Sequence, residues 1–379
     1  MSQFENSSVC KWFCTGEELF PEMLAAIDAA KISVSLEMYI FSDGALGQQF
    51  RAGLIRAQRR GVRVRVLVDA AGSFSLPGNF WKPLEQAGGA AKQFNPVALK
   101  RVWIRDHRKL LACDGRVAFI GGFNIAPEYE GDGVTRGWLD TGVKIEGPLV
   151  APLAASFEEM YARAELRQQR FARLGKFTAK RSLAGPDATI LLSGPGRGAN
   201  PLKRVLKTDL AKARDVKIMA AYFLPTRQLR RQLIHVVRRG GRVQLLLAGK
   251  SDVRLAQLAG RSLYRRLLKG GVEIFEYQPQ ILHAKLVLVD DVVYTGSANL
   301  DQRSLKINYE LMIRFEKPEM AGQAREMFSR CLQHCLRIEP AAWHNSRTLW
   351  RRIKQRLAYW LLMRLDPWVA RWQWRSLPK

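Results

Sequence analysis

The apolar positions of this chain fall into short runs separated by helix-like patterns. Leu286 to Val289 run apolar without a break, as in a strand covered on both faces. Just before them, His283 and Lys285 stand two apart, so they share one face of that strand. Elsewhere the order is strand, helix ending in Arg-Arg-Gly, strand, helix, strand, then a hairpin. The Arg-Arg-Gly endings place cations in the last helical turn and Gly at the cap. Alternating strands and helices predict an α/β sandwich with a largely parallel sheet.

The pattern is written twice. "DHRKLLACDGRVAFIGGFN" (106–124) repeats in "LHAKLVLVDDVVYTGSAN" (282–299). His107, Lys109 and Asp114 have the spacing of His283, Lys285 and Asp290, and Gly121-Gly122-Phe123-Asn124 answers Gly296-Ser297-Ala298-Asn299. "RRGVRVRVLVD" (59–69) matches "RRGGRVQLLLA" (238–248), and "SLEMYIF" (35–41) matches "MAAYFLP" (219–225) with Tyr39 over Tyr222 and Glu37 over Ala220. The first hairpin is one residue longer between its Asp and its Gly, which predicts a tighter turn at Asp290 and a small shift of Ser297. Two units follow: 1–160 and 187–338, with 161–186 as a basic helix and linker and 339–379 as a Trp/Arg-rich tail.

His-x-Lys-x4-Asp followed by Gly-(Gly/Ser)-x-Asn, present twice, resembles the phospholipase D superfamily over roughly residues 15 to 335. "HRKLLACDGRVAFIGGFNIAPEY", "WLDTGVKIEGPLV" and "GSANLDQRSLKINYE" resemble the branch of short bacterial cardiolipin synthases. The resemblance implies two fused units with pseudo-twofold symmetry, both His-Lys pairs in one cleft, and transfer of a phosphatidyl group, with phosphatidylglycerol as substrate.

The residue types suit that chemistry. Cleaving a phosphodiester needs a nucleophile, a proton donor for the leaving alkoxide and positive charge around the phosphoryl oxygens. Two His fill the first two roles, His107 as nucleophile and His283 as acid. Lys109, Lys285, Asn124 and Asn299 supply donors to the oxygens, with Gly122 and Ser297 in support; no metal or other cofactor is needed. The resemblance places an acid after each motif to fix the His tautomer: Asp140 in the half that carries His107, Glu310 in the half that carries His283. Asp114 and Asp290, part of the catalytic motifs, are expected to brace the hairpin turns. Glu37, inside an apolar strand, either pairs with a neighbouring Arg or lines the site.

Composition narrows the partner. The formal net charge is +27, from 61 Lys and Arg against 34 Asp and Glu. Such a field attracts polyanions, either an anionic membrane surface or nucleic acid. No apolar run reaches the length of a membrane span, the polar start "MSQFENSSVCKWF" does not read as a secretory signal, and the 5 Cys fit a reducing cytoplasm. Cys10, Cys14, Cys331 and Cys335 are expected on helix faces in the core rather than on zinc. "SGPGRGANPLK" (193–203) reads as the turn into the second unit.

Six of the ten Trp fall in residues 343–379. Trp350, Ile353, Leu357, Trp360 and Leu361 line one helical stripe, with Arg351, Arg352, Lys354 and Arg356 largely off it; a second Trp/Arg cluster follows Pro367. That is the pattern of a helix lying in a membrane interface, on the cytoplasmic side for this chain. Packing on the enzyme body is the competing reading. A phospholipase D hydrolase, a nucleic-acid phosphodiesterase and a non-enzymatic membrane binder stay open; specific nucleic-acid binding is not expected, and the sequence leaves the oligomeric state undetermined.

Overall fold

The structure is a computed structural model, which describes residues 7–95, 104–168, 179–196, 198–345 and 348–365. The first unit carries strands β1 (Val9–Phe13), β2 (Ser33–Met38), β3 (Arg63–Asp69), β4 (Ala90–Phe94), β5 (Leu110–Cys113), β6 (Val117–Gly121) and β7 (Gly142–Glu146). The second carries β8 (Arg181–Ala184), β9 (Ala188–Ser193), β10 (Asp215–Ala220), β11 (Arg242–Ala248), β12 (Glu273–Tyr277), β13 (Lys285–Val289), β14 (Val292–Gly296), β15 (Glu310–Phe315) and β16 (Cys335–Arg337). The first sheet runs β1-β7-β6-β5-β2-β3-β4, and the second repeats that order as β9-β15-β14-β13-β10-β11-β12, extended by β8 and β16 at its edges.

The sheets are mixed rather than largely parallel. Only β2-β3-β4 and β10-β11-β12 pair parallel; every other neighbour pair is antiparallel. Helical crossovers serve the parallel strands, whereas the motif hairpins β5-β6 and β13-β14 close in tight turns, and a hairpin can only be antiparallel. One core cluster takes buried residues from both units, among them Leu67, Leu110, Val143 and Phe157 with Met219, Leu286, Tyr309 and Ile313. The faces that meet there explain why β13 is buried along its whole length.

Differences from the sequence reading have local causes. The helix Val150–Gln168 runs through the expected boundary at 160, and Arg181–Ala184, expected within the linker, pairs with β9 as an added edge strand. The register sets Glu37 opposite Leu67 and Leu110, and Met219 opposite the matching Leu246 and Leu286. Met219, not Ala220, is therefore the counterpart of Glu37: a one-residue slip reverses the face, and the sequence match alone did not fix it. The extra hairpin residue sits wholly in the turn, three residues after Cys113 against two after Val289. Ser297 is not displaced: its N–H reaches Leu311 O at 2.9 Å as the Gly122 N–H reaches Thr141 O at 3.0 Å.

Among the cysteines only Cys331 lies on a helix; Cys10 is in β1, Cys14 just beyond it, and Cys335 in β16. All are free thiols, and burial raises the pKa of each. Among the described residues no group of three His, Cys, Asp or Glu side chains is placed to hold a metal ion.

Candidate active site

Each motif His enters the site on the short stretch before its hairpin, and the two units trade backbone bonds there. His107 N–H donates to Tyr309 O at 3.0 Å while Tyr309 N–H donates to Arg105 O at 2.9 Å; His283 N–H donates to Leu139 O at 2.7 Å while Leu139 N–H donates to Ile281 O at 3.0 Å. The exchange is reciprocal, as a pseudo-twofold axis between the units requires. Both imidazoles then line one cleft of about 540 Å³.

The acid partners cross between the units. His107 Nδ1 lies 3.0 Å from Glu310 Oε2, and His283 Nδ1 lies 2.6 Å from Asp140 Oδ2. The expectation that each half supplies its own acid is thus corrected. Tyr309 and Leu139, which hold the opposite His backbone, immediately precede Glu310 and Asp140, so the next side chain falls beside the opposite ring. With each carboxylate on Nδ1, the other ring nitrogen, Nε2, is the one left for chemistry.

The paired motif lysines are buried. Lys109 Nζ donates to His107 O at 2.7 Å, and Lys285 Nζ donates likewise to His283 O. Burial, then repulsion between the lysines, pulls Lys109 down to about 7; burial also lowers Lys285, against the pull of Asp140 and Glu310. Burial first, then the lysine charges, holds His107 well below the usual imidazole range and lowers His283. Burial lifts Glu310 to about 7, with Lys109 and the Ser297 hydroxyl opposing. An anion between the two ammonium groups relieves what burial imposes on them.

The remaining motif residues divide. Asp114 and Asp290 stand outside the cleft. Asp114 accepts from the backbone N–H groups of Lys31, Ile32 and Ser33 at 2.8–2.9 Å, and Asp290 accepts from Arg214 and Asp215 at 3.0 and 2.8 Å. Both adopt positive φ, 55° and 52°, at the head of their turns. They tie each hairpin to its neighbouring strand and do not reach the reacting atoms. Ser297 Oγ donates to Glu310 Oε2 at 2.5 Å, so it supports the acid and is spent as a phosphate ligand. At the matching position a Cβ on Gly122 would stand 2.1 Å from Asp140 Oδ1; the absent side chain is what admits that acid. Asn124 uses one amide hydrogen on Tyr129 Oη at 2.7 Å and accepts from Ile40 N at 3.0 Å, while Asn299 lines the cleft with its carbonyl oxygen unbonded.

Glu37 lies buried behind the cleft, its Oε2 3.0 Å from Arg108. Burial raises the Glu37 pKa, with the Arg108 charge and a bond to the neighbouring Asp106 carboxyl opposing. It does not line the cleft.

Several cleft residues were absent from the sequence reading. Tyr39 packs edge-on to His107 with ring centres 4.7 Å apart and lies 5.0 Å under Lys109 Nζ. Tyr129 and Trp138 each lie 5.5 Å from the His283 ring, centre to centre. Arg105, Arg303, Asp252, Leu362 and Met363 complete much of the wall. The repeat pointed to Tyr39 and Tyr222, although the register makes Ile40, rather than Tyr39, the counterpart of Tyr222; Tyr129 and Trp138 sit in the β6–β7 connection, which is longer than its β14–β15 counterpart, so the repeat is silent there.

A sequence profile described as "Cardiolipin synthase, PLD-like domain" matches residues 23–161 and again 206–332, one match for each His-Lys pair. The chain belongs to that family. It is 31% identical to cardiolipin synthase 1 of Bacillus cereus over 370 residues, 94% of this chain and 72% of that one. It is 34% identical to cardiolipin synthase A of Pseudomonas entomophila over 330 residues, 84% of this chain and 67% of the other. Among solved structures, phosphatidylserine synthase of Haemophilus influenzae superposes with a TM-score of 0.72 at 17% identity, covering 95% of this chain and 94% of that one. That likeness shows the fold. The doubled match agrees with the reciprocal backbone exchange between the units.

Proposed function

We propose that this chain is a cardiolipin synthase that works through a phosphatidyl-histidine intermediate. One observation supports this above the others: two His-carboxylate pairs, crossed between units, face one cleft with two buried lysines between the halves. Phosphatidylglycerol enters with its phosphate against Lys109 and Lys285. Nε2 of His107 attacks phosphorus; the P–O bond to the headgroup breaks, and His283 gives its Nε2 proton to the departing glycerol oxygen. A hydroxyl of a second phosphatidylglycerol then returns a proton to His283, attacks phosphorus and breaks the P–N bond, giving cardiolipin. Glu310 and Asp140 stabilise the positive charge that passes through the two rings. Arg105 and Arg303, on the same wall, add to the field that draws an anionic lipid.

The protein works at a membrane surface, on its anionic cytoplasmic face. The helix Leu349–Trp360 buries Gln355 and Ala358 against the enzyme body and leaves Trp350, Ile353, Leu357 and Trp360 about half exposed or more. One face of this helix thus packs on the enzyme body, and the opposite face is the one we assign to the membrane interface. Leu362 and Met363, in the turn that follows, line the cleft. Phe74 is 81% exposed in the loop whose Ser73 bonds Tyr39 O at 3.1 Å, and Val253 is exposed on the cleft wall. Val253, Leu362 and Met363 thus give the cleft wall apolar side chains for a lipid to pass. No helix among the described residues is long and apolar enough to cross a membrane. The second Trp/Arg cluster, beyond Pro367, and residues 169–178 of the basic region lie outside the described residues.

The deciding experiment is mass spectrometry of lipids after the purified protein meets phosphatidylglycerol vesicles. Cardiolipin with released glycerol is expected; phosphatidic acid without cardiolipin would select the hydrolase.

A further inference from the structure

Two sides of the cleft differ in charge where the repeat leads one to expect likeness. Beside His107 the wall carries Arg105 and Arg303. Beside His283 it carries Tyr222, whose hydroxyl donates to the Asp252 carboxylate at 2.6–2.7 Å. The Tyr222 and His283 ring centres are 6.3 Å apart, and both Lys285 and Tyr129 lie in the field of Asp252. Continuing the strand match places Ser73 where Asp252 stands, and the backbone exchange places Ile281 where Arg105 stands. At these equivalent stations one side carries a cation and the other a carboxylate; the other lining carboxylate, Asp301, accepts from Ser304 N–H at 2.8 Å.

A carboxylate in a cleft that must accept a phosphate is costly, because like charges repel. It is tolerable only where the substrate is uncharged and offers hydrogen-bond donors. Phosphatidylglycerol has one such part, the vicinal hydroxyls of its headgroup. Tyr222 occupies part of the carboxylate's accepting capacity and fixes its orientation; the rest faces the cleft. A carboxylate oxygen accepting from a hydroxyl makes one of the stronger hydrogen bonds available.

We propose that Tyr222 and Asp252 form the subsite for the glycerol hydroxyls, both of the departing headgroup and of the incoming acceptor. This rests on the transfer reaction proposed above and deepens it, since it fixes the direction of the chemistry. The group that leaves and the group that arrives both sit on the His283 side, so the ring that gives and takes their proton is His283, and His107 carries the phosphatidyl group. Asp252 acts as a specificity residue, favouring a polyol over a monohydric alcohol or water.

The test gives the full-length protein phosphatidylglycerol vesicles in the presence of deuterated glycerol and ethanol together. The ratio of deuterated phosphatidylglycerol to phosphatidylethanol is read by mass spectrometry. Because both products come from one sample, loss of folded protein cancels. Asp252→Asn should lower the ratio by roughly tenfold, the loss of one charge-assisted hydrogen bond. Tyr222→Phe, which frees the carboxylate to turn, should lower it less. An unchanged ratio in Asp252→Asn overturns the subsite. So does a variant that slows ethanolamine release from phosphatidylethanolamine vesicles more than glycerol release from phosphatidylglycerol, since that pattern marks a cation site. Failure of the wild-type protein to form either product would instead overturn the transfer reaction itself.

Discussion

The two units hold the same strands in the same order, yet the surroundings of their two imidazoles are not alike. His107 faces Glu310, which is held by the Ser297 hydroxyl, and sits beside Tyr39 and two arginines. His283 faces Asp140, which fits only because residue 122 is Gly, and sits among Tyr129, Trp138 and Tyr222. Duplication provides the symmetric frame: a twofold axis brings two equal motifs to one point at no extra cost in fold. A two-step displacement then needs the equal motifs to act unequally, and the differences collect in the residues around the rings.

The sharpest way to break the comparison is to remove each imidazole in turn. His107→Ala and His283→Ala should each lower lipid turnover by on the order of 10⁴-fold or more. They should part on a phosphodiester with a nitrophenolate leaving group, which departs without a proton. There His283→Ala should still release a burst of nitrophenolate as the covalent adduct forms, and His107→Ala should not. A burst from His107→Ala instead would reverse the roles of the two rings.

Next in size is Glu310. Below about pH 7 its carboxyl takes up a proton. Its O–H then donates to His107 Nδ1, which leaves the ring proton on Nε2 and blocks the nucleophile. In the free enzyme kcat/KM should therefore fall as pH drops below about 7. On the alkaline side it should fall as Lys109, also near 7, loses its charge; bound phosphate should move that limb upward in kcat. Glu310→Gln should cost about 10³–10⁴-fold in kcat, the scale of losing the acid behind a catalytic His. It should also move the acid limb downward, because Gln does not titrate and His107 itself titrates low. An acid limb that stays in place in the variant would separate Glu310 from it.

Exchanging the two supports tests the asymmetry directly. Gly122→Ser places a side chain against Asp140, and a displacement of that scale near the chemistry costs about 10²-fold in rate. The reverse change, Ser297→Gly, removes a donor to a buried carboxylate and should cost about 1–3 kcal/mol of stability, with a smaller loss of rate. Equal effects of the two, in assays of rate and thermal unfolding, would show that the supports are interchangeable.

Much of this was legible in advance because it is carried by type and spacing. His107, Lys109, His283 and Lys285 stand on hairpins whose strands announce themselves, and the repeat gave the doubled frame. Crossing of the acids was not legible: spacing along the chain says that Asp140 follows His107, but nothing in it says which unit's cleft wall the strand end will reach. The mixed sheet was missed because the helical crossovers of β2-β3-β4 and β10-β11-β12 were extended to strands joined by turns. The Tyr222–Asp252 pair was invisible because its partners are 30 residues apart, on a loop where the two halves do not match.

The last difference lies at the cleft mouth and has the smallest expected effect on chemistry. The helix Leu349–Trp360 packs on the helix Arg254–Arg261 of the second unit. Phe74 is an exposed apolar side chain on the first. If both sides meet the bilayer, neither alone holds the enzyme there. Trp350→Ala with Trp360→Ala should weaken binding to phosphatidylglycerol vesicles by about tenfold, because two indole rings lose burial at headgroup level. Phe74→Ala should weaken it less. High salt should weaken wild-type binding through the screened attraction of the +27 chain, and the apolar contribution should remain. Co-sedimentation at low and high salt reads both. Deleting the helix would mislead, because Gln355 and Ala358 are buried and Met363 reaches the cleft; the two Trp, which point outward, can be changed without disturbing that packing. Vesicle binding that is indifferent to all three side chains, and wholly lost in salt, would leave charge alone holding the protein to the surface.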